Sequence, residues 1–75
     1  MSTLEQVAKL KDEYARYIGQ DPKELHFAGD VAPRLVEDLF RSYPEAAPIV
    51  VHGGELMGMK CVQHDDAQPG AMWVK

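Results

Sequence analysis

The chain has 75 residues, 45% of them hydrophobic and 27% charged, a composition that folds as one domain spanning residues 1–75 and lies far from the disordered class. A domain this small buries only about 60% of its unfolded surface, so its stability is modest. Eight basic residues scattered among twelve acidic ones leave a formal net charge of −4. That excludes the clustered positive surface needed for direct DNA or RNA binding and favours a basic partner surface, such as that of a host protein which itself binds nucleic acid.

Cys61 is the single cysteine and can form no internal disulfide, so a reducing, cytoplasmic setting is expected. The start Met1-Ser2-Thr3-Leu4-Glu5 has no charged segment leading into an apolar one, and no run approaches the roughly 20 apolar residues of a membrane span. Neither export nor membrane insertion is expected.

Residues 2–18 carry a helical pattern. Ser2 with Glu5 three residues later fits a capping box, with Thr3 as an alternative N-cap, and Val7, Leu10, Tyr14, Tyr17 and Ile18 recur at spacings of three and four as an apolar stripe. Asp12 and Arg16, like Glu5 and Lys9, are favourably placed one turn apart on the wet side, and Gly19 ends the helix in the left-handed region. Asp21-Pro22-Lys23-Glu24 fits either a short helical turn or a type I β-turn. Leu25-His26-Phe27 then reads as extended, with Leu25 and Phe27 inward and His26 outward.

A second helix follows, capped by Asp30, tolerant of Pro33 in its first turn, and buried along Val31, Leu35, Val36, Leu39 and Phe40. Tyr43-Pro44 stops it. Past a connector at 45–48, Ile49-Val50-Val51 fits a central strand and Gly53-Gly54 a tight hairpin turn, because both central positions of such a turn need positive φ. On the returning strand Leu56, Gly58, Lys60 and Val62 point one way and Met57, Met59 and Cys61 the other, so both faces carry apolar groups. Either the second face is covered by a partner or by long side chains, or a bulge at Gly58 shifts the alternation. Residues 64–70 form a polar loop, and Ala71–Lys75 a last, edge strand.

Chemistry-bearing residues are sparse. His52, Cys61, His64, Asp65 and Asp66 have metal-ligand side chains, but one thiol with dispersed imidazoles does not make a closed tetrahedral set, so no metal and no other cofactor is expected. Cys61 as a nucleophile would need His26 or His52 as base and Asp30 as orienting acid, a pairing that spacing does not support. Against these stand a small buried thiol, solvated imidazoles and solvated turn acids. Met57, Met59, Met72 and Trp73 read either as core or as a soft apolar patch for a partner.

Glu24-Leu25-His26-Phe27, a helix through Leu35 and Leu39, the run Leu56-Met57-Gly58-Met59-Lys60-Cys61-Val62 and the closing Gln68-Pro69-Gly70-Ala71-Met72-Trp73-Val74 together resemble a segment of tailed-bacteriophage major capsid proteins. The resemblance covers residues 24–75. It implies a phage-like origin, a bacterial host cytoplasm as the setting, and an α+β module more than a capsid subunit, since Lys60 stands where the family usually has proline.

The expected fold is therefore α+β, two helices packed on a small, mainly antiparallel sheet of three or four strands. The expected function is non-enzymatic: a phage-encoded module that inhibits a host or defence protein by occupying its surface. A virion or assembly component is the alternative, and a small metal-dependent or thiol enzyme a third class. The binding surface is expected on the C-terminal hairpin and its acidic loop, at Glu55, Met57, Met59, Asp65, Asp66 and Trp73. A free edge strand also allows a homodimer.

Overall fold

The computed structural model describes residues 2–46 and 54–75, with the side chain of Ala46 excepted. In chain order it contains α1 (Thr3–Ile18), β1 (Glu24–Ala28), α2 (Val31–Ser42), a 3-10 turn at Pro44–Ala46, β2 (Glu55–Leu56), β3 (Met59–His64) and β4 (Met72–Val74). No helix among the described residues is long and apolar enough to cross a membrane.

The first helix begins and ends as its sequence dictates. Ser2 Oγ accepts from the Glu5 N–H at 3.1 Å, and Gly19, at φ +81°, returns its N–H to the Ala15 carbonyl. The apolar stripe is shorter than its periodicity suggests. Val7 is fully buried and Leu4 packs against the core, but Tyr17 is 89% exposed and Ile18 is exposed too, so among the described residues the last turn of α1 lies outside the core. The Asp12–Arg16 pair forms at 3.1 Å between two largely exposed side chains, where it adds little.

In α2 the buried line is Val31, Ala32, Leu35 and Leu39, with Val36 beside it. Phe40, expected in that stripe, is instead 60% exposed. One residue past Leu39 is about 100° further round the helix, which carries Phe40 off the face that meets the sheet. Asp30 also departs from expectation: it precedes α2 but makes no side-chain cap. Both of its carboxylate oxygens lie 3.0 Å from the Gly70 N–H, so the charge that could have capped α2 pins the approach to β4. That approach is a type II turn, with the Ala71 N–H donating to the Gln68 carbonyl and Gly70 at φ +80° behind Pro69. Asp38 accepts from the Leu4 N–H at 3.2 Å, setting a carboxylate at the positive end of α1 and the start of α1 beside the second half of α2.

Asp21-Pro22-Lys23 forms no helical turn, and Pro22 is buried. The four strands lie in the order β2-β3-β1-β4. β4 pairs antiparallel with β1, and β2 antiparallel with β3. The central pair, β1 and β3, is parallel, with Glu24 opposite Lys60 and Ala28 opposite His64. A parallel pair needs a long crossover, and α2 lies within it. Among the described residues the architecture is thus α+β with two helices on a four-stranded mixed sheet, and β4 is an edge strand as expected.

A hairpin that the sequence did not signal joins β2 to β3. Gly53, His52 and the strand expected at Ile49–Val51 fall outside the described residues. The turn that joins β2 to β3 is Met57-Gly58, with φ +54° and +80°. Residues 55–63 are therefore two strands rather than one, and a two-residue turn changes which alternate positions share a face. Leu56 and Met59 become cross-strand partners, and both are buried with Cys61 in the helix-covered core beside Leu25, Phe27, Leu35 and Leu39. Leu56, Met59 and Cys61, which seemed to load both faces of one strand, load a single face of two, while Met57 sits on the turn and Val62 on the other face, and no bulge is required. Lys11 Nζ ties α1 to this turn by donating to the Met57 carbonyl at 2.9 Å.

Leu39→Ala should cost about 2–5 kcal/mol and Phe40→Ala less than about 0.5 kcal/mol; urea titrations of the two variants check the contrast. Met57→Asn should raise stability by about 0.5–1 kcal/mol, because methionine is held in a left-handed conformation that an Asn-Gly turn adopts without strain. The midpoint of the same urea titration reads it.

Candidate functional site

The sheet surface turned away from the helices is built in three rows by the strand register. Lys60 on β3 stands opposite Glu24 on β1, and Glu24 and Lys75 exchange both backbone hydrogen bonds. Glu55 on β2 stands opposite Lys60, so the first row alternates Glu55, Lys60, Glu24, Lys75. The second row is Val62, His26, Trp73. The third is His64 opposite Ala28, with Ala71 bonded to Ala28 through its carbonyl.

His26 faces outward from the helices as its alternation predicts, yet it is only 5% exposed. Its cover is local. Trp73 lies beside it with ring planes 11° apart and centroids 5.4 Å apart, and the centroids of His64 and Trp73 are 5.0 Å apart. The small Ala28, buried under this group, leaves room for His64 on β3 and Trp73 on β4 to approach each other across β1. His26 Nδ1 and His64 Nε2 are 2.6 Å apart. The ring centroids are 4.9 Å apart and the planes 26° apart, the spacing of two imidazoles of radius about 1.1 Å meeting edge to edge with the hydrogen bond nearly in their plane.

On its other side His26 Nε2 is 2.7 Å from Glu24 Oε1. The His26 hydrogen bond, foremost, and then the positive charge of His26, Lys75 and Lys60 hold the Glu24 carboxyl below its usual range, against an opposing desolvation penalty. An ionised carboxylate only accepts, so the proton is assigned to His26 Nε2. With His26 neutral, its Nδ1 carries the lone pair and His64 Nε2–H donates to it. The chain then runs Glu24 carboxylate, His26, His64, and ends on His64 Nδ1, which has no partner among the described residues. No buried side-chain nitrogen or oxygen among them lacks a hydrogen bond, so that terminal nitrogen meets solvent.

Such a chain can store and pass a proton. Its two imidazoles line neither of two surface clefts, although Glu24 borders one of them. One, of about 330 Å³, is lined by Gln6, Lys9, Leu10, Glu13, Gly70 and Met72. The other, of about 510 Å³, lies beyond the Glu24 end and is lined by Tyr14, Gln20, Asp21, Lys23, Glu24 and Lys75.

The residues expected to bind a partner are only partly gathered. Trp73 and Glu55 belong to the open face. Met57 sits exposed on the hairpin turn, and Asp65 and Asp66 are exposed just past His64, where Asp65 accepts from Gln63 Nε2 at 2.7 Å. Met59 is excluded: it is 0% exposed, facing the helices. Cys61 is likewise buried on the helix side, so the sheet separates it from His26 and His64, and burial pushes its thiol up, away from the reactive thiolate. The described residues contain no group of three side chains placed to hold a metal. His64 was singled out in the sequence only for its metal-ligand side chain, and nothing there joined it, Glu24 or Ala28 to His26, because 38 residues separate His26 from His64 and only the parallel pairing brings them together.

No family model matches the chain, no curated protein matches it, and no solved structure matches its fold.

A carboxyl held low in the fold contributes stability that is fully present above its ordinary value of 4.5 and is lost as pH falls through the lower folded value. Glu24→Gln should therefore lie below the wild type in stability at neutral pH and converge with it in acid. Denaturation midpoints measured from neutral to acidic pH check the convergence.

Proposed function

We propose that the protein is a non-enzymatic binding module that docks on another protein through the open face of its sheet, with Trp73 as the anchor. The observation that carries this reading is the setting of Trp73: an indole 36% exposed, held against two imidazoles on a face that neither helix covers. An aromatic side chain fixed before binding loses little freedom on docking, and tryptophan is among the residues that dominate interface energetics. Exposed Asp65 and Asp66, which follow His64 at the end of β3, and the net charge of −4, suit a partner that is basic where it meets this end of the face. The capsid-module resemblance of residues 24–75 supports a phage origin and action in a bacterial host, as an inhibitor occupying a surface of a host or defence protein. It also supports the second reading, a virion or assembly component.

Capture from a bacterial lysate names the partner, and titration of that purified partner tests the surface. Trp73→Ala on folded protein should weaken binding by about 2 kcal/mol or more. Asp65→Asn with Asp66→Asn should mainly slow association and flatten its salt dependence. Wild-type affinity in both variants moves the interface off this face; a capsid or portal protein as partner selects the second reading.

A further inference from the structure

The contact between His26 Nδ1 and His64 Nε2 limits how many protons the open face can hold. At 2.6 Å there is room for one hydrogen between the two nitrogens. With both imidazoles neutral, His64 Nε2–H supplies it. A first added proton leaves the contact intact wherever it settles: His64 can be charged through Nδ1 while Nε2 still donates, or His26 can donate from both nitrogens, to Glu24 and to His64. A second added proton puts an N–H on each side of the contact. Neither nitrogen can then accept, two like charges meet edge to edge, and His26 is almost wholly enclosed, so water cannot relieve them.

We propose that the His26–His64 pair is a proton-operated latch on the docking face, closed with no or one added proton and opened by the second. His64 is the member that moves, since it is the half-exposed one and sits at the end of β3, whereas His26 is central and held by Glu24. Its departure uncovers Ala28 and removes one of the two rings against Trp73, so the anchor loses its fixed position. The proposal rests on the docking reading for its consequence, a face competent at neutral pH and dismantled in acid.

The other charged groups around the pair set the balance. Glu24 on β1 favours the first proton directly. Asp65 and Asp66, just past β3, favour charge on His64. Lys60 on β3 and Lys75 after β4 stand in the Glu24 row and oppose a doubly charged pair, while Glu55 on β2 partly offsets Lys60.

Trp73 is the only tryptophan, so its fluorescence reports on the latch in the free, full-length protein without any partner. Acidification from about pH 8 to 4, through and just below the range where a free imidazole charges, should move the emission maximum to longer wavelength while far-ultraviolet circular dichroism stays constant. His64→Gln should abolish that shift and keep the fold. Proton NMR should show the two imidazoles of the wild type titrating in separate steps, and the His26 ring of His64→Gln in one. Emission unchanged over this range, a shift that persists in His64→Gln, or a shift that coincides with loss of helical dichroism would each overturn the latch. The docking reading stands or falls separately, on the affinity of Trp73→Ala.

Discussion

Leu25, His26, Phe27 and Ala28 are all buried, in a strand with a parallel neighbour on one edge and an antiparallel neighbour on the other. That position of β1 is the constraint on which the rest of the molecule depends. With both edges bonded, its backbone groups are satisfied without solvent. The helices cover Leu25 and Phe27, and β1 must find cover for its other face from the strands beside it. The ring cluster is that cover. His64 from one neighbour and Trp73 from the other close over Ala28 and His26, so one arrangement both completes a thin domain and creates its most distinctive surface.

Burying an imidazole without a helix above it has a cost, and the structure meets it with hydrogen bonds rather than apolar packing. His26 is bonded at both nitrogens, to Glu24 and to His64. A buried polar group satisfied in this way costs little, whereas the same group with one partner removed leaves an uncompensated atom. The cluster is accordingly sensitive to protonation in a manner the apolar core is not. The first row, Glu55, Lys60, Glu24, Lys75, adds alternating charge at one end of the face, and Asp65 and Asp66 add negative charge at the other. An aromatic centre between charged ends has the composition of a recognition surface with a defined orientation.

Polar side chains outside the sheet do positional work. Asp30 holds Gly70 and thereby the start of β4, Lys11 holds the β2–β3 turn through the Met57 carbonyl, and Asp38 holds the first turn of α1. Each links segments distant in sequence, and each satisfies a backbone group that would otherwise end in a turn or helix terminus. Because Asp30 fixes the approach to β4, it contributes to the placement of Trp73.

Local chemistry in the sequence determined the parts that obey local rules. The Ser2 cap, the Gly19 stop, the two helices, the Pro69-Gly70 turn and the inward Leu25 and Phe27 all follow from side-chain period and from backbone preferences that need only a few neighbouring residues. The tertiary structure decided the rest. Methionine at a positive-φ turn position is locally unfavourable, so the Met57-Gly58 hairpin was concealed behind the glycine pair that precedes it, and with it the reason Met59 and Cys61 are core. The exposure of Phe40 was set by which arc of α2 meets the sheet, a choice among neighbouring faces that the helical period alone leaves open. Above all, His26 and His64 became a site only through the parallel register of β1 and β3. Strand register across a long crossover is set by the packing of the whole core, and no short stretch of sequence contains it.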